Sequence, residues 1–269
     1  ELWNGLDGKR KKMSRIGKGL LMVNMDMAEA LAAIGCVPDC KFPEDVQWLY
    51  GHRNVGRTEI YFISNQENKE VTASPEFRVQ RMQPELWSAI DGKIRSLPAY
   101  RQTDTGTVVP LKLHPYESVF IVFRKSGGKP VGDLLAQNFP NPKVCSRIDK
   151  PWKLTFCDTL RGPKGVQTYT VLEDLSQSDR EPIRYYSGTI IYETDFTFTA
   201  KPEGCVYLNL NRVGVMAKVK VNGRYAGGVW TSPYRVEVTD LVKNGENHLE
   251  VEVVTTWQNR LIGDSGLPE

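Results

Sequence analysis

Apolar and polar positions alternate at period two through the last third of the chain. His248 to Val254 puts Leu249, Val251 and Val253 on one face, and Tyr234 to Val238 repeats the pattern; this is how a strand with one buried and one wet face reads. Aromatic and β-branched runs separated by turn residues predict further strands at 47–50, 59–63, 76–79, 108–113, 118–123, 152–156, 188–196, 205–210 and 217–221. No 3.6-residue periodicity lies between them. Asn222-Gly223 is the strongest hairpin signal, because both central positions of a type I′ turn need positive φ. The expected fold is mainly β: two antiparallel β-sandwiches, the second a jelly roll.

Two stretches break this pattern. Residues 16–40 read as the end of an α/β unit: a strand at 19–23, Asn24 or Asp26 as N-cap, and an Ala/Leu/Met helix closed by Gly35. One strand and one helix bury no core alone, so this remnant is expected to pack on a preceding segment or on the following sheet. Residues 126–150, with Ser126-Gly127-Gly128-Lys129-Pro130 and Phe139-Pro140-Asn141-Pro142, have the composition of a connection. The expected organisation is an α/β remnant over 1–45, a sandwich over 46–125, a linker over 126–150 and a second sandwich over 151–269.

The 269 residues are 40% apolar and 25% charged, as in a globular protein, and 35 basic against 32 acidic residues leave a formal charge of +3. That field is too weak to point to nucleic acid. The one basic cluster, Lys9 to Lys12, lacks interleaved aromatics and reads as a solvated turn. The longest apolar stretch is interrupted by Asn24, Asp26 and Glu29 and falls short of the ~20 residues of a membrane span. The opening Glu1-Leu2-Trp3-Asn4-Gly5 has neither an initiator Met nor signal-peptide order, so a start inside a longer protein is expected. Cys36, Cys40, Cys145, Cys157 and Cys205 form no CxxC pair and read as free thiols.

Several linked motifs carry a resemblance. Val219-Lys220-Val221-Asn222-Gly223, the return to Gly227-Gly228-Val229-Trp230, Ser232-Pro233-Tyr234, Thr239-Asp240-Leu241 and Gly245-Glu246-Asn247-His248-Leu249 resemble, in that order, the galactose-binding-like sugar-binding domain of family 2 glycoside hydrolases. The terminal Thr255-Thr256-Trp257-Gln258-Asn259-Arg260-Leu261-Ile262-Gly263-Asp264 resembles the end of large bacterial α-L-rhamnosidase-like hydrolases, as do His52-Arg53, Glu59 to Asn65, Pro84-Glu85-Leu86-Trp87 and His114 to Phe120. The resemblance implies that the catalytic carboxylates lie in a (β/α)₈ barrel, and nothing in this chain matches a barrel. It also implies glycan substrates, a catalytic barrel in the same polypeptide as partner, and a periplasmic or extracellular location.

No catalytic residue is assigned. Glycoside hydrolysis needs two carboxyl groups roughly 5–10 Å apart, and sequence selects no such pair; Glu85 and Glu117 read as acceptors for a backbone amide or an Arg. Trp230, Tyr234 and Trp257, with Asn259, Arg260 and Asp264 nearby, supply the aromatic faces and polar groups that sugar recognition uses. The alternative is that the indoles plug the sandwich ends and Arg260 pairs with Asp264. His52-Arg53, read as following a strand, either reaches toward a neighbouring barrel or bridges domains through a carboxylate. His114 and His248 read as satisfied surface or edge histidines. No cofactor is required; a structural calcium is permitted by resemblance, with Asp174, Asp179 and Glu181 as candidate ligands. The functional expectation is a non-catalytic region that binds or positions carbohydrate and braces a barrel. The alternatives are a scaffold without sugar affinity and a glycosidase with its own site between the sandwiches.

Overall fold

The computed structural model describes residues 3, 5–125, 132–133, 135–158, 160–199 and 204–266; the linker motif at 126–130 lies outside them. A hairpin of β1 (Met13–Ile16) and β2 (Gly19–Met22) leads into α1 (Met27–Ala33). Asp26 and Glu29 form a capping box, each side chain accepting from the other's backbone N–H, and Gly35 follows at φ 72°. The strand and helix expected here are both present. The strand also has an antiparallel partner, β1, which the sequence reading did not include, and no residue of α1 is buried. The basic turn wraps Asp7, whose Oδ1 accepts from the backbone N–H groups of Lys9, Arg10 and Lys11.

The first sandwich contains β3 (Cys40–Lys41), β4 (Trp48–Val55), β5 (Thr58–Asn65), β6 (Val71–Ala73), β7 (Glu76–Phe77), β8 (Gln83–Trp87), β9 (Ile94–Ser96), β10 (Arg101–Gln102), β11 (Thr107–Val108), β12 (Leu111–Leu113) and β13 (Ser118–Arg124). A five-stranded sheet ordered β4-β5-β13-β8-β9 faces a four-stranded sheet ordered β10-β11-β7-β3, with β12 and β6 paired beside them. Inward-pointing Tyr61, Ile63, Ile121 and Phe123 meet Phe77, Leu111 and Leu113 in one core. The Tyr61 and Phe77 rings lie edge to face at 4.9 Å. Strand β8 was not among the expected strands; it carries Pro84, which has no N–H to give the ladder.

The described part of the connection folds back on this sandwich. Buried Asn138 donates to the carbonyls of Ala99 and Pro110 and accepts from the Ala99 N–H. Gly132 lies so close to Tyr100 that a Cβ there would sit 1.8 Å from the Tyr100 carbonyl oxygen. Phe139 packs against the same core.

The second sandwich comprises β14 (Trp152–Phe156), β15 (Gln167–Tyr169), α2 (Glu181–Arg184), β16 (Thr189–Phe198), β17 (Tyr207–Asn209), β18 (Met216–Val221), β19 (Arg224–Val229), β20 (Arg235–Glu237), β21 (Gly245–Val254) and α3 (Gln258–Asp264). Six strands run in the order β15-β14-β16-β21-β18-β19, and β17 pairs with β20. The alternation read at 248–254 is realised: Leu249 and Val251 are buried, while Glu250 and Glu252 face outward and pair with Lys220 and Lys218, their register partners on β18. Asn222 and Gly223 turn β18 into β19 at φ 53° and 75°.

The two sandwiches meet along a polar seam. Lys93 pairs with Glu237 across it, and on the second sandwich's own side the Arg235 guanidinium lies over Tyr207 at 5.1 Å. Among the described residues no helix is long and apolar enough to cross a membrane. The five cysteines are free. Cys40 alone among them is buried, which pushes its thiol up to about 12, with the charge of Asp39 adding to the effect.

Candidate functional site

One end of the six-stranded sheet gathers most of the sugar-site candidates. Ala217 of β18 pairs with both Val229 of β19 and Val253 of β21. Trp230 and Val254 therefore leave the sheet at the same end, two strand spacings or about 10 Å apart. Trp257 follows three residues later, at the start of α3. Both indoles are exposed, Trp230 at 53% and Trp257 at 61%, so neither plugs the sandwich. Tyr234 instead packs against the second core.

Ser187 and Tyr185 seat α3 on the sandwich. Ser187 Oγ donates to the Thr256 carbonyl at 2.7 Å and accepts from the Arg260 N–H at 3.3 Å. Gly263 lies against Tyr185, where a Cβ would come within 2.7 Å of the ring. Arg260 forms a forked pair with Asp264 across one helical turn, Nε–Oδ2 at 2.9 Å and Nη2–Oδ1 at 2.5 Å. Both partners thus satisfy each other, as in the alternative given for this pair, while Asn259 is half-buried beside them. Sequence reasoning missed Arg161, whose guanidinium lies 5.1 Å from the Trp257 ring. No local signal could have joined residues so far apart in the chain.

His52 and Arg53 lie within β4, not after it, because the strand continues to Val55. Alternation sends them to opposite faces: Arg53 is exposed, and His52 is half-buried and stacked on Tyr61 with ring centroids 4.1 Å apart and planes 4° apart. His52 Nε2 meets Glu59 Oε2 at 2.8 Å and Nδ1 meets Asp39 Oδ2 at 3.1 Å. Arg78 pairs with Asp39 in turn. Burial pushes the Asp39 carboxyl up, but the His52 hydrogen bond and the charges of Arg78 and His52 outweigh it and hold the group below the usual carboxylate range. This cluster ties the β3–β7 side of the sandwich to β4 and β5.

Glu85 accepts from Trp87 Nε1 at 2.9 Å and from Arg124 at 3.0 Å. Glu117 accepts from the His114 N–H at 2.8 Å. Both are acceptors of the kind expected. Glu117 sits at the seam, where burial raises its carboxyl despite the His114 N–H and the nearby Arg235 and Arg95. Burial likewise lowers the His114 imidazole, which faces Glu70 at 3.3 Å. His248 lies at 2.9 Å from Asp195 on the sheet surface.

The loop that the resemblance permits for calcium carries Asp174, Asp179 and Glu181. Asp174 accepts from Ser176 through both its N–H and its hydroxyl, capping a short 3₁₀ turn. Asp179 faces Arg184 at 3.7 Å, and Glu181 opens α2. Among the described residues no three His, Cys, Asp or Glu side chains converge as a metal site.

Residues 1–102 match the model of the α-L-rhamnosidase family, and residues 171–263 match that of the glycosyl hydrolase 2 galactose-binding domain-like family. The solved structure of a rhamnosidase from Novosphingobium sp. PP1Y superposes with a TM-score of 0.86 at 36% identity, over 100% of this chain and 25% of its own. A curated protein of Formosa agariphila named "Putative beta-glucuronidase" is 43% identical over 100 residues, 36% of this chain and 9% of its own length. The chain thus spans a small part of the length of the relatives it matches.

Proposed function

We propose that this chain, an α-L-rhamnosidase-like segment joined to a galactose-binding-like sandwich, is the accessory C-terminal region of a glycoside hydrolase that acts on glycans outside the cytoplasm. It holds carbohydrate and braces a hydrolytic barrel carried elsewhere in the same polypeptide. The observation that carries the binding role is the Trp257 indole, 61% exposed on an anchored helix with Arg161 over its ring. An exposed aromatic face beside fixed hydrogen-bonding groups is how a protein takes the C–H face and the hydroxyls of a pyranose. Calorimetric titration of oligosaccharides containing rhamnose or galactose tests it. Trp257→Ala is expected to weaken binding about tenfold, or ~1.4 kcal/mol; unchanged affinity sinks the role of this platform.

The bracing role is favoured separately by α1. Met27, Leu31 and Ile34 form an i, i+4, i+7 apolar stripe that is exposed here. Weaker hydrogen-exchange protection of α1 in this chain than in a longer rhamnosidase-like polypeptide is the expected result, and equal protection removes the argument.

A further inference from the structure

The end of the four-stranded sheet carries a solvent-open cleft of about 380 Å³ lined by Val37, Arg78, Gln80, Asp104 and Thr105. Val37 precedes β3, Arg78 and Gln80 follow β7, and Asp104 and Thr105 form the turn between β10 and β11, so adjacent strands deliver the whole lining. The volume is at the small end of ligand clefts, on the scale of a single sugar unit.

The hydrogen-bonding groups here are fixed on one side and open on the other. The Arg78 guanidinium is oriented by Asp39, which His52 holds in turn; its remaining N–H donors belong to a half-exposed side chain lining the cleft. Thr105 Oγ1 donates to Glu76 at 2.7 Å, which leaves its lone pairs as acceptors. The Gln80 amide nitrogen donates to the carbonyls of Thr103 and Asp104, leaving its oxygen as the acceptor. Among the described residues the Asp104 carboxylate has no partner.

Free donors on Arg78 thus line the same cleft as free acceptors on Asp104, Thr105 and Gln80, with Val37 as an apolar wall. A hydroxyl both donates and accepts, so a vicinal diol satisfies both sides at once. An anion gains little, because Asp39 already meets the Arg78 charge and Asp104 repels it. An amine meets Asp104, but an ammonium only donates and leaves the Arg78 donors without an acceptor. We infer that this cleft is a carbohydrate subsite separate from the α3 platform, and that it takes a neutral monosaccharide unit through a vicinal diol. The inference stands on the cleft's own chemistry and not on the role of Trp257.

Amide and indole NMR shifts of the full 269-residue chain, titrated with L-rhamnose, D-galactose and D-glucuronate, test it. Neutral sugars are expected to move the Val37 and Thr105 amides, with glucuronate weaker by about tenfold. Asp104→Asn, an exposed turn substitution, is expected to weaken that response about tenfold, and Trp257→Ala to leave it intact. Amides that stay put at high millimolar neutral sugar, a stronger response to glucuronate, or indifference to Asp104→Asn each overturn the subsite. A lost Trp257 indole response with the Thr105 response retained counts against the α3 platform alone.

Discussion

The imidazole of His52 lies flat on the ring of Tyr61, centroids 4.1 Å and planes 4° apart, with a carboxylate at each ring nitrogen. A carboxylate accepts hydrogen bonds when ionised, so both contacts are made together when both nitrogens carry protons. The histidine is then the central tie among Asp39, Glu59 and the stacked tyrosine. His52→Ala removes the stack and leaves two carboxylates on one edge of the sandwich. A loss of about 1–3 kcal/mol is expected from urea unfolding, with His52→Gln recovering part of it; equal stability of His52→Ala and the parent chain refutes the role.

Asp39 and Glu117 respond to pH with opposite signs. Asp39 titrates lower in the fold than in the unfolded chain, so its contribution is present above its unfolded value and lost as pH falls through the folded one. Asp39→Asn is therefore expected to narrow the gap between unfolding midpoints at neutral pH and near pH 3. Glu117 titrates higher in the fold, so stability falls as pH rises from its unfolded value through its folded one. Glu117→Gln, which keeps an acceptor for the His114 N–H, is expected to flatten the decline over that interval. Parallel midpoint-versus-pH curves for variant and parent refute either assignment.

Asn222 does two jobs in the second sandwich. It holds φ 53° at the hairpin, and its side chain donates to the Leu241 carbonyl and to Asn247 Oδ1 while accepting from the His248 N–H. Asn222→Ala forfeits those bonds at a conformation alanine disfavours. The expected cost is about 2–4 kcal/mol, and Asn222→Gly, which relieves only the backbone, is expected to lose less.

Gly263 sets how closely α3 approaches the sandwich. A Cβ there meets Tyr185 at 2.7 Å, so Gly263→Ala is expected to lift the helix and change the emission of Trp257 without unfolding the first sandwich. An unaltered spectrum would show that the helix tolerates the methyl group.

Local periodicity settled most strands of the second sandwich, because one wet and one buried face force a period-two pattern, as in Leu249 and Val251 against Glu250 and Glu252. The Asn222-Gly223 turn was legible for a similar reason: positive φ at adjacent positions restricts the residue types that fit. The family motifs placed Trp257 on the chain. Only the tertiary structure decided that its indole stays exposed, that Arg161 lies over it, and that Arg260 and Asp264 satisfy each other. The same holds for His52, whose strand extends further than its local signal and whose partners Asp39 and Glu59 arrive through sheet packing. Residue type and spacing determine which backbone conformations are favourable, so local pattern reads out strongly alternating strands and the Asn222-Gly223 turn. Which side chains meet depends on register and on the packing of one sheet against another, and those are properties of the folded chain as a whole.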